Sequence, residues 1–403
     1  MKLHRSRART GVLVALTTAI AVSALLAVAA TAGKSQSKDP IVIGAEKGVS
    51  GFMSSFDVPP LNGAKLAVAD INKQGGVLGR PLKLVVADYH SKVEDAGPAG
   101  KELLAKGAEF ILTACDFDFG SPAAQVAQDE NVAAMSDCAG ATQFGVQGIG
   151  PLAYTMGNAG RSEGAVMAEF AIKDKKLRTA WMLRDTGLLY YNEVCTGFQD
   201  RFKELGGKVV GYETYKSDDP SISTQINKLR NIKPAPKALF ICGFPTGGSA
   251  AIRQIRSAGF NQPMMSSNSY DGDYWKKAVP GVTNFYFANY ASLYGDDPNP
   301  KINAFMKRYR AKFGKPDNSN LVTGYSVIQA FALAAKKARS TDGDKIAAAL
   351  DSMRNMPLLV APTTFTKKLH IDLRRRQEIM VITNGKTKFF KYWKLSKPPK
   401  VQF

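Results

Sequence analysis

Three histidines and four cysteines are all the imidazole and thiol groups this chain offers for chemistry. His4 sits in the N-terminal run, so His90 and His370 remain, and neither has a Cys or carboxylate partner at metal-ligand spacing. No phosphate-binding Walker loop and no His-Glu-x-x-His zinc motif occurs. Gly160-Arg161-Ser162-Glu163-Gly164 matches Gly-x-Ser-x-Gly. A nucleophile elbow places its serine on a sharp turn directly after a strand, with a histidine later in the chain. Here Gly157-Asn158-Ala159 separates Ser162 from the nearest run that could be a strand, and His370 is the only downstream histidine. The match reads as a helix start. Gly247-Gly248-Ser249 reads as a tight strand-to-helix turn rather than an anion site at a helix N-terminus. Asp185, Asp271 and Asp273 are candidate paired acids, but acids in loops are usually solvated. These residues point away from an enzyme and imply no metal and no cofactor.

Cys115, Cys138, Cys195 and Cys242 fit no metal signature, and an even number in an exported chain permits disulfides with three possible pairings. Cys115 and Cys138 each follow a run expected to be a buried strand, which favours that pair, and with less support Cys195 with Cys242. Export is indicated by residues 1–32. Lys2, Arg5, Arg7 and Arg9 form a basic start, Gly11 to Ala30 is an uncharged and mostly apolar run, and Ala30-Thr31-Ala32 supplies small residues for cleavage near Ala32. The competing reading, a membrane anchor, suits a run rich in Ala and Thr less well. No Cys follows the cleavage region, so a lipid anchor is not expected.

Cleavage lowers the formal charge of +20 by four. So basic a chain raises the question of nucleic acid, yet Lys and Arg are spread throughout, and Arg374-Arg375-Arg376 is the densest run. No nucleic-acid module accompanies it, so the charge reads as a solvated surface that attracts anionic solutes or a membrane face.

The elements that must position these residues alternate. Short apolar runs at Ile41–Gly44, Leu82–Ala87, Phe110–Ala114 and Val132–Ser136 are separated by helical patterns over Leu61–Ile71, Ala96–Lys106 and Pro122–Asp129. A second block alternates likewise, with helices at 161–172, 192–205, 222–231 and 249–257. Its strands are expected at Thr179–Leu183, Val209-Val210, Ala238–Cys242 and Met264–Ser266. The last third has helices over Pro300–Phe313, Leu321–Lys337 and Gly343–Leu350, then a hairpin turning at Asn384-Gly385. Two α/β blocks completed by a shared C-terminal third mean two lobes and more than one chain crossing.

Asn62-Gly63-Ala64, Asp70-Ile71-Asn72 and Gly75-Gly76-Val77-Leu78-Gly79-Arg80-Pro81 resemble the first helix and following turn of the leucine/isoleucine/valine-binding protein family. These are type I periplasmic binding proteins of ABC transporters. The resemblance continues through Ser50-Gly51, Asp88, Gly140-Ala141-Thr142 and Tyr190, and covers nearly all of the mature chain. Asn62 and Asp70 themselves read as structural.

The resemblance implies an α/β fold of two doubly wound parallel-sheet lobes joined by a multi-strand hinge. Residues 39–157 plus about 289–365 would form lobe 1, and 158–288 plus about 366–403 lobe 2. It implies a small-molecule ligand in the cleft, a membrane permease as partner, a monomer and no nucleic acid. Position by position it places Phe56, the segment Asp116, Phe117, Asp118 and Phe119, and Tyr190, Phe244 and Asn268 at the cleft. Gly140, Ala141 and Thr142 would grip a carboxylate through N–H and hydroxyl groups. Two departures matter. Amino-acid binders of the family pair the ligand ammonium with an acid, where this chain has Asn268, leaving Asp271 or Asp118 as alternatives. The cleft is also aromatic, with Tyr191 and Tyr270 added to Phe56, Phe117, Phe119, Tyr190 and Phe244. An aromatic or other apolar carboxylate, or a neutral amide, therefore competes with a branched-chain amino acid. A ligand-sensing ectodomain, and less so an exported α/β enzyme, are the other classes the pattern admits.

Overall fold

The structure, a computed structural model, describes residues 39–401, so the expected export signal at 1–32 lies outside the described residues. The first block runs β1 (Ile41–Lys47), α1 (Ser54–Lys73), β2 (Leu82–Asp88), α2 (Val93–Ala105), β3 (Ala108–Thr113), α3 (Phe117–Asp129), β4 (Ala134–Ser136) and β5 (Ala153–Thr155). Its strands form one parallel sheet in the order β2-β1-β3-β4-β5. β1 is buried along nearly its whole length, as befits a parallel strand with both faces covered.

The second block runs α4 (Gly160–Glu169), β6 (Thr179–Asp185), α5 (Leu189–Glu204), β7 (Lys208–Tyr215), α6 (Ser223–Asn231), β8 (Ala238–Cys242), α7 (Pro245–Ser257), β9 (Met264–Ser266) and β10 (Phe285–Asn289). Those five strands are parallel in the order β7-β6-β8-β9-β10. The antiparallel hairpin β13 (Gln377–Thr383) and β14 (Lys386–Trp393) extends the sheet beyond β10. Asn384 and Gly385 both have positive φ, 49° and 74°, the type I′ geometry that their sequence signals.

Between β10 and β13 the chain returns to the first lobe as α8 (Pro300–Phe313), α9 (Leu321–Ala338) and α10 (Gly343–Ser352), followed by the short pair β11 (Met356–Pro357) and β12 (Pro362–Thr363). Asn62 and Asp70 of α1 hold these helices: Asp70 accepts from Arg308 at 2.7 Å and from the Tyr325 hydroxyl at 2.9 Å, and Asn62 reaches the Tyr309 hydroxyl at 3.4 Å. A Cβ at Gly63 would sit 2.1 Å from the Leu321 carbonyl oxygen, so only glycine lets α9 approach α1 this closely. The chain thus passes between the lobes three times, after β5, after β10 and after β12.

Arg375, expected on a solvated basic surface, is instead 4% exposed at this junction. Its guanidinium donates to Met156 O, Gly157 O, Asn158 Oδ1 and Thr363 Oγ1, and Asn158 N–H donates to the Tyr290 hydroxyl. Two crossings meet at that side chain, and the third joins them through Asn158.

Several helices begin earlier than their sequence pattern predicts, two of them by five residues or more. α1 starts at Ser54 and contains Pro59 and Pro60, which end most helices because they remove N–H donors. The Ser55 carbonyl, left without the donor that residue 59 would supply, accepts instead from Asn318 Nδ2 at 2.6 Å. Asn318→Ala is therefore expected to cost about 1–3 kcal/mol, the penalty of one buried acceptor left unpaired, measured as a shift in the urea midpoint. α3 starts at Phe117, so Asp116 to Phe119 is a cap and first turn rather than a loop, with Asp116 Oδ1 accepting from Asp118 N–H at 2.9 Å. Gly247-Gly248-Ser249 likewise lies inside α7, after a cap at Phe244, and is not a turn. Disulfides join Cys115 to Cys138 and Cys195 to Cys242.

Candidate functional site

In each sheet the chain leaves neighbouring strands in opposite directions at one point, between β1 and β3 and between β6 and β8. Loops at the carboxyl ends of such strands border a crevice. Here the two crevices face each other. Phe56, Cys115, Asp116 and Cys138 come from the first lobe, and Tyr190, Phe244, Asn268 and Ser269 from the second. Asn318 and Asn320, from the segment that enters α9, complete the wall.

The enclosed space is about 20 Å³, room for roughly one water, because aromatic rings fill it. Phe56 stacks on Phe244 across the cleft, with centroids 4.5 Å apart and planes 21° from parallel. Tyr191 meets Phe244 edge-on at 5.1 Å, and Tyr190 lies 6.1 Å from it. Gly140 touches the Tyr190 ring so closely that a Cβ would come within 2.8 Å of it, which fixes the role of that glycine as clearance between lobes. Asp118 accepts from Leu189 N–H at the start of α5, at 3.3 Å, another contact from one lobe to the other.

Of the residues expected at the cleft, Phe56, Asp116, Tyr190, Phe244 and Asn268 share this cavity. Phe117, Phe119, Gly140, Ala141 and Thr142 stand outside its lining. Phe117 packs edge-on against Phe144, Phe119 packs on Tyr89 at 5.5 Å, and Ala141 and Thr142 are buried. Tyr270 belongs to the second-lobe core beside Trp275 and Phe285. Asp271, an alternative partner for a ligand ammonium, is turned to Ser319 N–H at 2.7 Å and does not line the cavity. The sequence reading missed Ser269, Asn318 and Asn320; Asn318-Ser319-Asn320, a cap-type cluster ahead of a strong helix, is the signal that marks the two asparagines.

Two buried polar groups govern the electrostatics. Burial, with Asp118 nearby, pushes the Asp116 carboxyl up to about 7. No lysine or arginine lines the cavity among the described residues. On the second-lobe side, the Tyr190 hydroxyl lies 2.5 Å from Glu163 Oε2 and 2.8 Å from Asn268 Oδ1. One hydroxyl proton serves only one of these oxygens, so the pair is satisfied when Glu163 carries a proton of its own. Burial raises Glu163 to about 8, consistent with that form.

Behind the first-lobe wall lies an ion cluster with no solvent exposure. Lys47 Nζ contacts Asp137, Asp57 Oδ1 at 3.4 Å and Thr113 O at 2.5 Å. Burial opposes the ammonium, but Asp137 and Asp57 outweigh it and hold Lys47 above the usual lysine value. Asp57 also accepts from Gly48 N–H, Cys115 N–H and the Tyr89 hydroxyl at 2.9, 2.9 and 2.6 Å. One carboxylate thus fixes the loops that carry Phe56 and Asp116.

Other candidate groups are structural. Ser162 donates to Leu373 O at 3.1 Å inside the fold. His370 stacks on Tyr154 at 3.8 Å with Asp351 3.2 Å from Nε2, and exposed His90 lies 3.4 Å from Asp95. Both histidines therefore have the carboxylate neighbours that sequence spacing did not show.

A family model described as "Periplasmic binding protein" matches residues 40–385. The chain is 24% identical over 327 residues to a leucine-, isoleucine-, valine-, threonine- and alanine-binding protein of Pseudomonas aeruginosa, covering 81% of this chain and 86% of that one. Among solved structures it resembles the branched-chain amino acid transporter substrate-binding protein LivJ of Streptococcus pneumoniae in complex with isoleucine. That likeness has a TM-score of 0.77 at 21% identity, over 89% of this chain and 100% of the other. An ABC transporter solute-binding protein of Rhodopseudomonas palustris BisB5, in complex with 3,4-dihydroxybenzoic acid, gives 0.74 at 19% identity over 90% and 99%.

Proposed function

Because this chain belongs to the periplasmic binding protein family, whose members are solute-binding proteins rather than enzymes, we propose that it is the extracytoplasmic binding component of an ABC importer. It captures a small amino acid or a carboxylate-like ligand between its lobes and presents the closed form to a membrane permease. The observation that carries this reading is the cavity walled by Phe56 and Asp116 on one side and by Tyr190, Phe244 and Asn268 on the other. A ligand touching both walls favours the closed arrangement, because it contacts more surface there than when the lobes are apart. In this reading residues 39–157 and about 289–365 move as one lobe, and 158–288 with about 366–403 as the other. The protein is exported after cleavage near Ala32 and works as a monomer.

A thermal-shift screen of residues 33–403 against amino acids, amides, and aliphatic and aromatic carboxylates tests this. A true ligand at about a hundredfold over its dissociation constant contributes about 2.7 kcal/mol, and a rise of a few degrees is expected. A panel with no response at millimolar concentration counts against solute capture.

A further inference from the structure

A hollow of about 840 Å³ lies where the chain crosses between the lobes, apart from the cleft. Its walls draw on both halves: Asn355 and Thr364 flank β11 and β12, Arg374, Arg375 and Arg376 belong to the crossing after β12, and Lys394 follows β14. Four basic side chains and one carboxylate, Asp372, therefore line it. That carboxylate is already engaged, since Oδ1 accepts from Arg374 N–H at 2.8 Å and Oδ2 from Thr364 N–H at 3.0 Å. Among the described residues none of the four cations has a carboxylate within ion-pair distance. Arg374 and Lys394 are exposed, and Arg376 rests over the Tyr392 ring at 3.6 Å. Arg375 differs from them. It is buried, its terminal nitrogens are taken by oxygens of the crossings, and its Nε has no hydrogen-bond partner. Burial outweighs the more distant pull of Asp372 and holds the guanidinium below the usual arginine value. A buried charge without a counter-charge is costly to keep.

We propose that this hollow is a second binding site, taking a small polycarboxylate whose arms pair with Arg374, Arg376 and Lys394 while one of its oxygens accepts from Arg375 Nε–H. This goes beyond the solute-binding reading, which concerns the cleft. Three observations favour an anion with several arms over a compact one. The volume falls in the range of ordinary ligand pockets and far exceeds a single small ion. The cations come from two separate segments, so one compact charge cannot meet them all. Three of the four are arginines, whose planar forks match carboxylates two bonds at a time. Thr364 adds a donor, because its Oγ1 already accepts from Asn355 N–H at 2.8 Å and keeps its own proton to give. A bound polycarboxylate supplies the counter-charge that Arg375 lacks, and it ties the β11–β12 segment to the end of the C-terminal hairpin.

Isothermal titration of residues 33–403 with citrate, phosphate and acetate at fixed ionic strength tests this on three proteins. The wild type should bind citrate at least about tenfold more tightly than either smaller ion, because only citrate reaches several cations at once. Arg374→Glu with Lys394→Glu reverses two exposed charges of the hollow, and should weaken citrate about tenfold or more with the urea midpoint unchanged. Lys301→Glu with Lys307→Glu makes the same change of net charge at exposed positions of α8 outside the hollow, and should leave citrate binding as it was. Saturating citrate should also raise the thermal midpoint of the wild type but not that of the Arg374→Glu, Lys394→Glu protein. Silence toward citrate overturns the site. Citrate binding that survives Arg374→Glu with Lys394→Glu also overturns it, by placing the anion elsewhere, the cleft included. Equal weakening in both double variants assigns the effect to overall charge and overturns it as well. Phosphate binding as tightly as citrate overturns the polycarboxylate class. None of these results decides solute capture in the cleft, which rests on the thermal-shift panel.

Discussion

Replacing Asp57 by alanine is expected to lower the free energy of unfolding by about 3–5 kcal/mol, the cost of stripping one partner from a buried ion pair. Lys47 has no water to fall back on, since it and Asp57 are both fully buried. Asp137 and Thr113 O would then be the contacts left to the ammonium, while Gly48 N–H, Cys115 N–H and the Tyr89 hydroxyl would each lose an acceptor. The readout is a urea titration in which the midpoint falls and the slope holds. A companion variant, Asp57→Asn, removes the charge but keeps one acceptor oxygen for Gly48 N–H, Cys115 N–H or the Tyr89 hydroxyl, and should recover part of the loss. A drop below about 1 kcal/mol for Asp57→Ala would mean that the cluster contributes little, and that the cleft wall is held by packing instead.

Arg375→Ala should be nearly as damaging and should also change how the lobes move. The side chain donates to Met156 O at 2.6 Å, Gly157 O at 3.2 Å, Asn158 Oδ1 at 3.3 Å and Thr363 Oγ1 at 3.2 Å. Each acceptor that water cannot reach costs about 1–3 kcal/mol once its donor is gone. Burial holds this guanidinium below the usual arginine value, and no carboxylate lies within ion-pair distance among the described residues. Its work is therefore directional hydrogen bonding. Arg375→Lys should not rescue it, because one ammonium cannot serve a planar fork's four partners at once. Small-angle scattering with and without ligand supplies the second readout: the variant should show a larger radius of gyration in the free form. An unchanged urea midpoint together with unchanged scattering would remove the guanidinium from the hinge.

What could be read in advance follows the physics of each signal. Ala238–Cys242, Met264–Ser266 and Pro300–Phe313 fall where their apolar runs and caps place them, because local pattern and tertiary burial agree there. The start of α1 was hidden by Pro59-Pro60, and only a side chain more than two hundred and fifty residues away supplies the compensating donor. β10, the buried run Phe285–Asn289, follows an irregular stretch with no α-helix after β9, so it falls outside the strand–helix alternation that marks the other strands. Arg375 sits between two exposed arginines, so its burial is invisible to composition. Glu163 was embedded in a chance motif, and Lys47 at the end of a strand looked like any surface lysine. Aromatic residues of the cleft could be named, but which of them face the cavity depends on packing. Phe56 and Phe244 do, whereas Phe117 and Phe119 turn to their own lobe.

The two disulfides have a mechanical meaning. Cys115–Cys138 joins the ends of neighbouring strands in one lobe, and Cys195–Cys242 ties α5 to β8 in the other. Neither staple crosses from jaw to jaw. Each closes a loop within its own half, of 23 and 47 residues, which constrains the unfolded chain by roughly 3–4 kcal/mol apiece. Oxidation therefore stiffens the gripping surfaces and leaves the travel of the jaws untouched. A reduced chain would keep its range of opening and lose part of the stiffness of each half, so an oxidising environment would act on this molecule as a tempering step and not as a lock.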